Sequence, residues 1–159
     1  MQTVYHAGPK LINKHDGYRS KKKKDRCEFG VGLYTTFDHY QACRYGRVVS
    51  EMGLDIDPTK DANNVVVSFK EILTRWGWYS SKAACKRIQE AFKRHSVNDN
   101  ITLQHFVSLV CNYDPKIHLY SNELNSLLIS FGATHTTEIG FNKMILVHDF
   151  NIIKTIKKG

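Results

Sequence analysis

Two short tracts near the start of the chain carry residue types and spacings suited to holding a flat, polar, aromatic ligand. Tyr5, His6, Ala7 and Gly8 run together; about two dozen residues on come Gly30, Val31, Gly32, Leu33, Tyr34, Thr35 and Thr36, with Tyr45 eleven positions after Tyr34. A histidine at a strand end and two tyrosines flanking a helix can together form an aromatic slot, in which stacking and ring-quadrupole attraction hold the ligand. Taken singly, such a histidine is more often structural, and tyrosines in strands and helices are common core residues. The order and spacing of His6, Gly30, Gly32, Tyr34, Thr35 and Tyr45 together favour the slot.

Other chemistries find less support. His105, His118, His135 and His148 lack the short spacings of zinc sites, so no metal is assigned. No Gly-x-Ser-x-Gly elbow occurs, and Gly30 and Gly32 are not followed by the third glycine of a dinucleotide fingerprint.

The elements that must position these residues follow from patterning. Residues 3–6 form a β-branched and aromatic run closed by Gly8 and Pro9, which predicts an opening strand. Residues 10–28 have no period and form a loop, and 30–36 predicts a second strand whose glycines admit a ligand or another backbone. Asp38 is a good N-cap for a helix over 38–45 that Gly46 stops. Residues 48–57 alternate loosely, with Val49, Leu54 and Ile56 as inward candidates, and close at Pro58.

The middle of the chain is helical in period. Phe69, Ile72, Leu73 and Trp76, then Ala84, Ile88, Ala91 and Phe92, recur at three- and four-residue steps, predicting two helices over 65–95 broken near Gly77. A third helix fits 102–112 and a fourth 121–131, capped by Ser121 and stopped by Gly132. Strand signals resume over 144–148 and 152–156. Strand-rich ends around a helical centre predict an α+β fold rather than βαβ alternation, in a single domain over 1–159.

The 159 residues carry a formal charge of +8, and residues 10–26 alone contribute eight cations against two aspartates. Lys21, Lys22, Lys23 and Lys24 make that stretch a solvated loop able to hold phosphates, with binding that weakens steeply as salt rises. Cys27, Cys43, Cys85 and Cys111 share no CxxC spacing and are expected as reduced thiols of a cytoplasmic protein. No apolar run reaches the length a bilayer requires, so no membrane partner is expected.

The order of His6, the Gly-x-Gly-Leu-Tyr-Thr-Thr tract and Tyr45 resembles the ADP-ribosyltransferase superfamily, in its diphtheria-toxin and poly(ADP-ribose) polymerase branch. The run over 144–153 is similar to that family's last strands. The likeness covers roughly residues 3–57 and 129–156 and leaves about 65–131 as a helical insertion in a split antiparallel sheet. The layout is also similar to small phage enzymes of this kind and to toxins of toxin–antitoxin pairs, which implies an antitoxin or inhibitor as a further partner.

The resemblance implies NAD as co-substrate. His6 would hold the nicotinamide-side ribose, the backbone at Ala7 or Gly8 the carboxamide, and Tyr34 and Tyr45 the two ring faces, with Gly32 and Thr35 in the strand beneath. Cleavage passes through a cationic sugar that needs a carboxylate nearby. The family has a glutamate ahead of its last hydrophobic strand, where this chain has Lys143 and Met144. Glu138, read as part of a polar loop after Gly132, is the expected acid in its place, ahead of Asp149. The implied activity is mono-ADP-ribosyl transfer to a nucleic acid or nucleic-acid-bound protein, in a toxin or phage–host conflict role. The alternatives are a degenerate module that binds NAD or nucleic acid without turnover, and an RNA 2′-phosphotransferase, whose phosphate-binding arginines find no clear match.

Overall fold

The computed structural model describes residues 1–18, 30–139 and 144–159, with the backbone alone at 138 and 139. Among these residues, strands β1 (Gln2–Gly8), β2 (Leu33–Thr35) and β3 (Val48–Leu54) are followed by a helical middle, and β6 (His135–Ile139), β7 (Met144–Val147) and β8 (Ile153–Lys158) return to complete two sheets. One sheet has the order β1-β3-β8 and the other β2-β7-β6, antiparallel throughout. They meet where Tyr5 and Thr36 exchange backbone hydrogen bonds of 2.8 and 2.9 Å.

The strand period of two sorts β1 between two environments. Val4 faces inward with Met52 and Leu54, onto Ile145 and Val147 of the second sheet. Tyr5 and Ala7 face outward with Val49, onto Ala42 of the short helix α1 (His39–Ala42). Val49 and Leu54 are therefore both buried but on opposite faces, and Ile56 is half-buried.

The middle segment comprises α2 (Phe69–Trp76), α3 (Lys82–His95), α4 (Leu103–Tyr113) and α5 (Ser121–Ser130). Ser68, Ser81 and Thr102 cap the first three, each side chain accepting from a backbone N–H three residues on. Their apolar stripes form a separate core in which Phe69 stacks on Phe92 at 3.9 Å and Trp76 is fully buried. Val31 and Ala133 belong to this core too, so it borders the β2-β7-β6 sheet.

The α+β expectation holds, with several boundary corrections. The second strand shrinks to three residues because Gly30 and Gly32, at φ 115° and 132°, depart from extended geometry. The first helix stops at Ala42 and continues as turns. Ser121 opens α5 rather than capping it, since Tyr120 precedes it without a side-chain cap bond. Strands β4 (Val66–Ser68) and β5 (Asn100–Thr102) pair within the helical segment. They are too short for their period to register against the helices they cap. Among the described residues, no helix is long and apolar enough to cross a membrane.

Candidate functional site

His6 and Tyr34 lie together. The antiparallel bridge at Tyr5 and Thr36 brings the end of β1 against β2, and the His6 imidazole Nδ1 is 2.8 Å from the Tyr34 carbonyl oxygen. A carbonyl only accepts, so Nδ1–H donates and the neutral ring carries its acceptor lone pair on Nε2. That nitrogen stands 3.4 Å from where a Gly8 side chain would begin. The Tyr34 ring is half-buried, and its hydroxyl donates to the Gly30 carbonyl at 2.5 Å, closing a small loop over the glycines.

Gly46 locks the third component. A Cβ there would stand 2.6 Å from Gly8 N, 2.7 Å from Gly8 Cα and 2.8 Å from the Ala7 carbonyl carbon, so only glycine lets this turn sit on the end of β1. Tyr45, the preceding residue, is thereby carried to the His6 end of the strand, with its side chain 66% exposed. Neither tyrosine is a core residue. Gly46→Ala should cost about 1–3 kcal/mol, because relief requires moving backbone rather than a rotamer. Urea unfolding checks this, and an unchanged midpoint would mean that the turn and the strand end do not touch.

Three other expected binding residues take structural roles. Thr35 is fully buried and its hydroxyl donates to the Ile145 carbonyl at 2.8 Å, so it stitches β2 to β7. The space a Gly32 side chain would need is filled by His148 Nδ1 at 3.0 Å and the Val147 oxygen at 3.1 Å. The close approach that Gly32 permits is thus to the protein's own strand. Ala7 turns its methyl toward Ala42 and offers only backbone to a ligand.

Glu138 stands in strand β6, not in a loop. Cα partners run from Thr136 with Leu146 to Ile139 with Met144, three residues against two, so the irregularity falls at Thr137 and Glu138. Tyr34 also pairs with Leu146, which puts Tyr34, Leu146 and Thr136 on one row across the sheet. Bulges of this kind re-aim side chains and recur beside active sites. A cleft of about 540 Å³ opens next to it, lined by Met1, Phe37, Asp55, Ile56, Thr137 and Ile145 among others.

Apart from Asp55 on the cleft wall, the other carboxylates around these sheets are engaged. Asp38, Asp57 and Asp149 each cap a helical turn, accepting from Tyr40, Thr59 and Asn151 amides, and Thr59 holds the Asp57 carboxyl below its usual range. Glu51 pairs with Lys157 at 3.0 Å. Asp149 also lies beyond the Val147 end of β7, away from Met144.

A buried polar cluster went unread in the sequence. His148, 3% exposed, meets Thr136 through Nε2 at 2.7 Å and Asn125 through Nδ1 at 2.9 Å, while the Asn125 amide donates to the His148 carbonyl at 3.1 Å. Burial pushes its pKa down to about 3, and neighbouring His135 adds to the effect. His135 is also fully buried and held below its ordinary value by desolvation. Its 4.0 Å approach to Asp61 is therefore a contact of a neutral ring at neutral pH rather than an ion pair. Asp61 itself accepts from the Thr137 hydroxyl. Two histidines spaced thirteen apart in strand-like segments carry no sequence signal for this arrangement.

Lys21, Lys22, Lys23 and Lys24 lie outside the described residues, as do Lys143 and Cys27. Cys43 is exposed; Cys85 and Cys111 are half-buried against the helical core, and burial raises the Cys85 pKa. Among the described residues, no group of three or more His, Cys, Asp or Glu side chains could hold a metal ion. Comparison of the chain with protein-family models, curated proteins and solved structures finds no match.

Proposed function

We propose that the chain is a mono-ADP-ribosyltransferase that cleaves NAD and passes ADP-ribose to a macromolecule. The observation that carries this reading is the 2.8 Å bond from His6 to the Tyr34 backbone, with Gly46 bringing Tyr45 to the same strand end. The resemblance assigns His6, Tyr34 and Tyr45 to the nicotinamide end of NAD, and the two contacts support their acting at one strand end although 39 positions separate the outer two. Two antiparallel three-stranded sheets that meet at the Tyr5–Thr36 bridge support the same reading.

In this mechanism the His6 ring meets a ribose hydroxyl while its Nδ1 stays tied to β2. Tyr34 stacks on the cationic nicotinamide ring, and Tyr45 closes the second face on binding. Glu138 stabilises the developing positive charge on the ribose as the bond to nicotinamide breaks. The acceptor then attacks the anomeric carbon.

Purified protein with NAD should release nicotinamide. Tyr34→Ala should raise the Kd for NAD about 5- to 30-fold, the worth of a desolvated ring–cation contact, and His6→Ala about tenfold through its hydrogen bond. Equal NAD affinity in all three proteins would sink the slot. A binding module without turnover is the second reading, favoured by Lys143 and Met144 at the usual acid position. NAD binding without nicotinamide release, across a range of acceptors, selects it.

A further inference from the structure

Helix α3 presents a face that no fold requirement explains. Residues 75–95 hold six lysines and arginines against the single carboxylate of Glu90. The apolar positions Ala84, Ile88, Ala91 and Phe92 are buried, and Lys82, Lys86 and Lys93 project from the exposed side. At 100° per residue these three fall within a narrow stripe, and at 1.5 Å per residue they span about 17 Å.

Two of the three neighbouring arginines are occupied. Arg75 lies 4.9 Å over the Phe131 ring, and Arg87 donates to the Tyr113 carbonyl at 3.2 Å. By contrast, Lys82, Lys86 and Lys93 make none of the ion pairs found among the described residues. Lys82 and Lys86 are like charges four residues apart, and the first turn of α3 has no carboxylate to complement the dipole. Only Lys93, in the last turn, complements the dipole, and Glu90 is the one carboxylate within helical reach of Lys86 and Lys93.

Aromatic side chains stand at the head of the stripe. α2 closes at Gly77, and turn bonds from Trp78 N to the Arg75 carbonyl and from Tyr79 N to the Trp76 carbonyl set the next two residues. Trp76 turns inward and is buried, whereas Trp78 is 72% and Tyr79 41% exposed. The Ser80 hydroxyl donates to Asp114, fixing this turn against the end of α4.

We infer that the Lys82–Lys86–Lys93 face of α3, with Trp78 at its head, is a docking surface for single-stranded nucleic acid. A row of exposed ammonium groups that outnumbers its one neighbouring carboxylate tracks a phosphate backbone, and an exposed indole stacks on an unpaired base, a face that duplex keeps hidden. An acidic protein would satisfy the lysines but give the indole no base to stack on. The assignment names the acceptor class of the transfer reading above and rests on that reading only for why an acceptor is bound.

The test uses the full chain without NAD and a fluorescein-labelled single-stranded oligouridine of about twenty nucleotides, read by anisotropy. Each single-strand phosphate contact contributes about −0.7 to the slope of log affinity against log salt, so three lysines should give about −2. K82E/K86E/K93E should bind at least tenfold more weakly and lose that part of the slope, with the milder Lys→Gln triple variant in between. Trp78→Ala should weaken binding about fivefold or more. Nicotinamide release without acceptor should match wild type in every variant, so failure of binding and failure of NAD cleavage are read separately. The surface is refuted if the triple reversal binds within twofold of wild type, if polyglutamate competes as well as oligouridine, or if only replacing Lys21–Lys24 by serine abolishes binding.

Discussion

Glu138→Gln should lower nicotinamide release a hundredfold or more while leaving NAD affinity close to that of the parent. The substitution keeps the size and hydrogen-bonding capacity of the side chain and removes the charge. Only a group that stabilises the cationic sugar more than bound NAD shows this split. Removing one preorganised electrostatic partner from a transition state typically costs 10²–10³ in rate, about 3–4 kcal/mol. The choice of Glu138 follows from the employment of its rivals: Asp38, Asp57 and Asp149 cap turns, Glu51 pairs with Lys157, and Asp61 is bonded to Thr137. Glu138 occupies the irregular part of β6 opposite the Met144 end of β7, beside an open cleft. If E138Q cleaves NAD at the parental rate, the candidate acid moves to Asp55 on the cleft wall, and D55N becomes the deciding variant.

The sequence pattern located helices better than the contacts between strands. Phe69, Ile72, Trp76, Ile88 and Phe92 recur at helical steps and pack together as that period predicts. Val4 faces inward as a strand period allows, but that period cannot say which distant strand lies across from it. Nothing in the chain near Thr35 indicates that its hydroxyl will be spent on Ile145, 110 residues away. The glycines are instructive in both directions. Gly32 does mark a close approach, yet the approaching group is His148 rather than a ligand, and Gly46, read as a helix stop, makes the tighter contact with Gly8. Glycine records that space is needed and leaves the occupant to topology. The polar run before Glu138 reads as a loop, whereas β6 spends the polarity of His135, Thr136 and Thr137 inward, on Asp61, Thr134 and His148.

That inward polarity makes the fold acid-sensitive in a defined window. In the unfolded chain His148 takes up a proton near pH 6.5, whereas in the fold its pKa is pushed down to about 3 by burial and by His135. Between these values the unfolded state binds the proton and the native state does not, so stability is complete above pH 6.5 and falls as pH drops toward 3. At about 1.4 kcal/mol per unit, the span amounts to roughly 5 kcal/mol, comparable with the whole stability of many domains. His135 shifts in the same direction, and Asp61 opposes both by favouring their charged forms. Urea midpoints taken at descending pH should therefore drop across this window. His148→Gln, which keeps a donor and an acceptor for Thr136 and Asn125, should be less stable than the parent at pH 7 but lose about one proton's worth of slope, about 1.4 kcal/mol per pH unit. Parallel slopes in the two proteins would show that His148 is not the titrating group. Because His148 also fills the space against Gly32, its protonation loosens the strand that carries Tyr34. In the fold that ring stays neutral until pH nears 3, so NAD affinity of the folded protein is expected to hold across the window and to weaken only at its acid end.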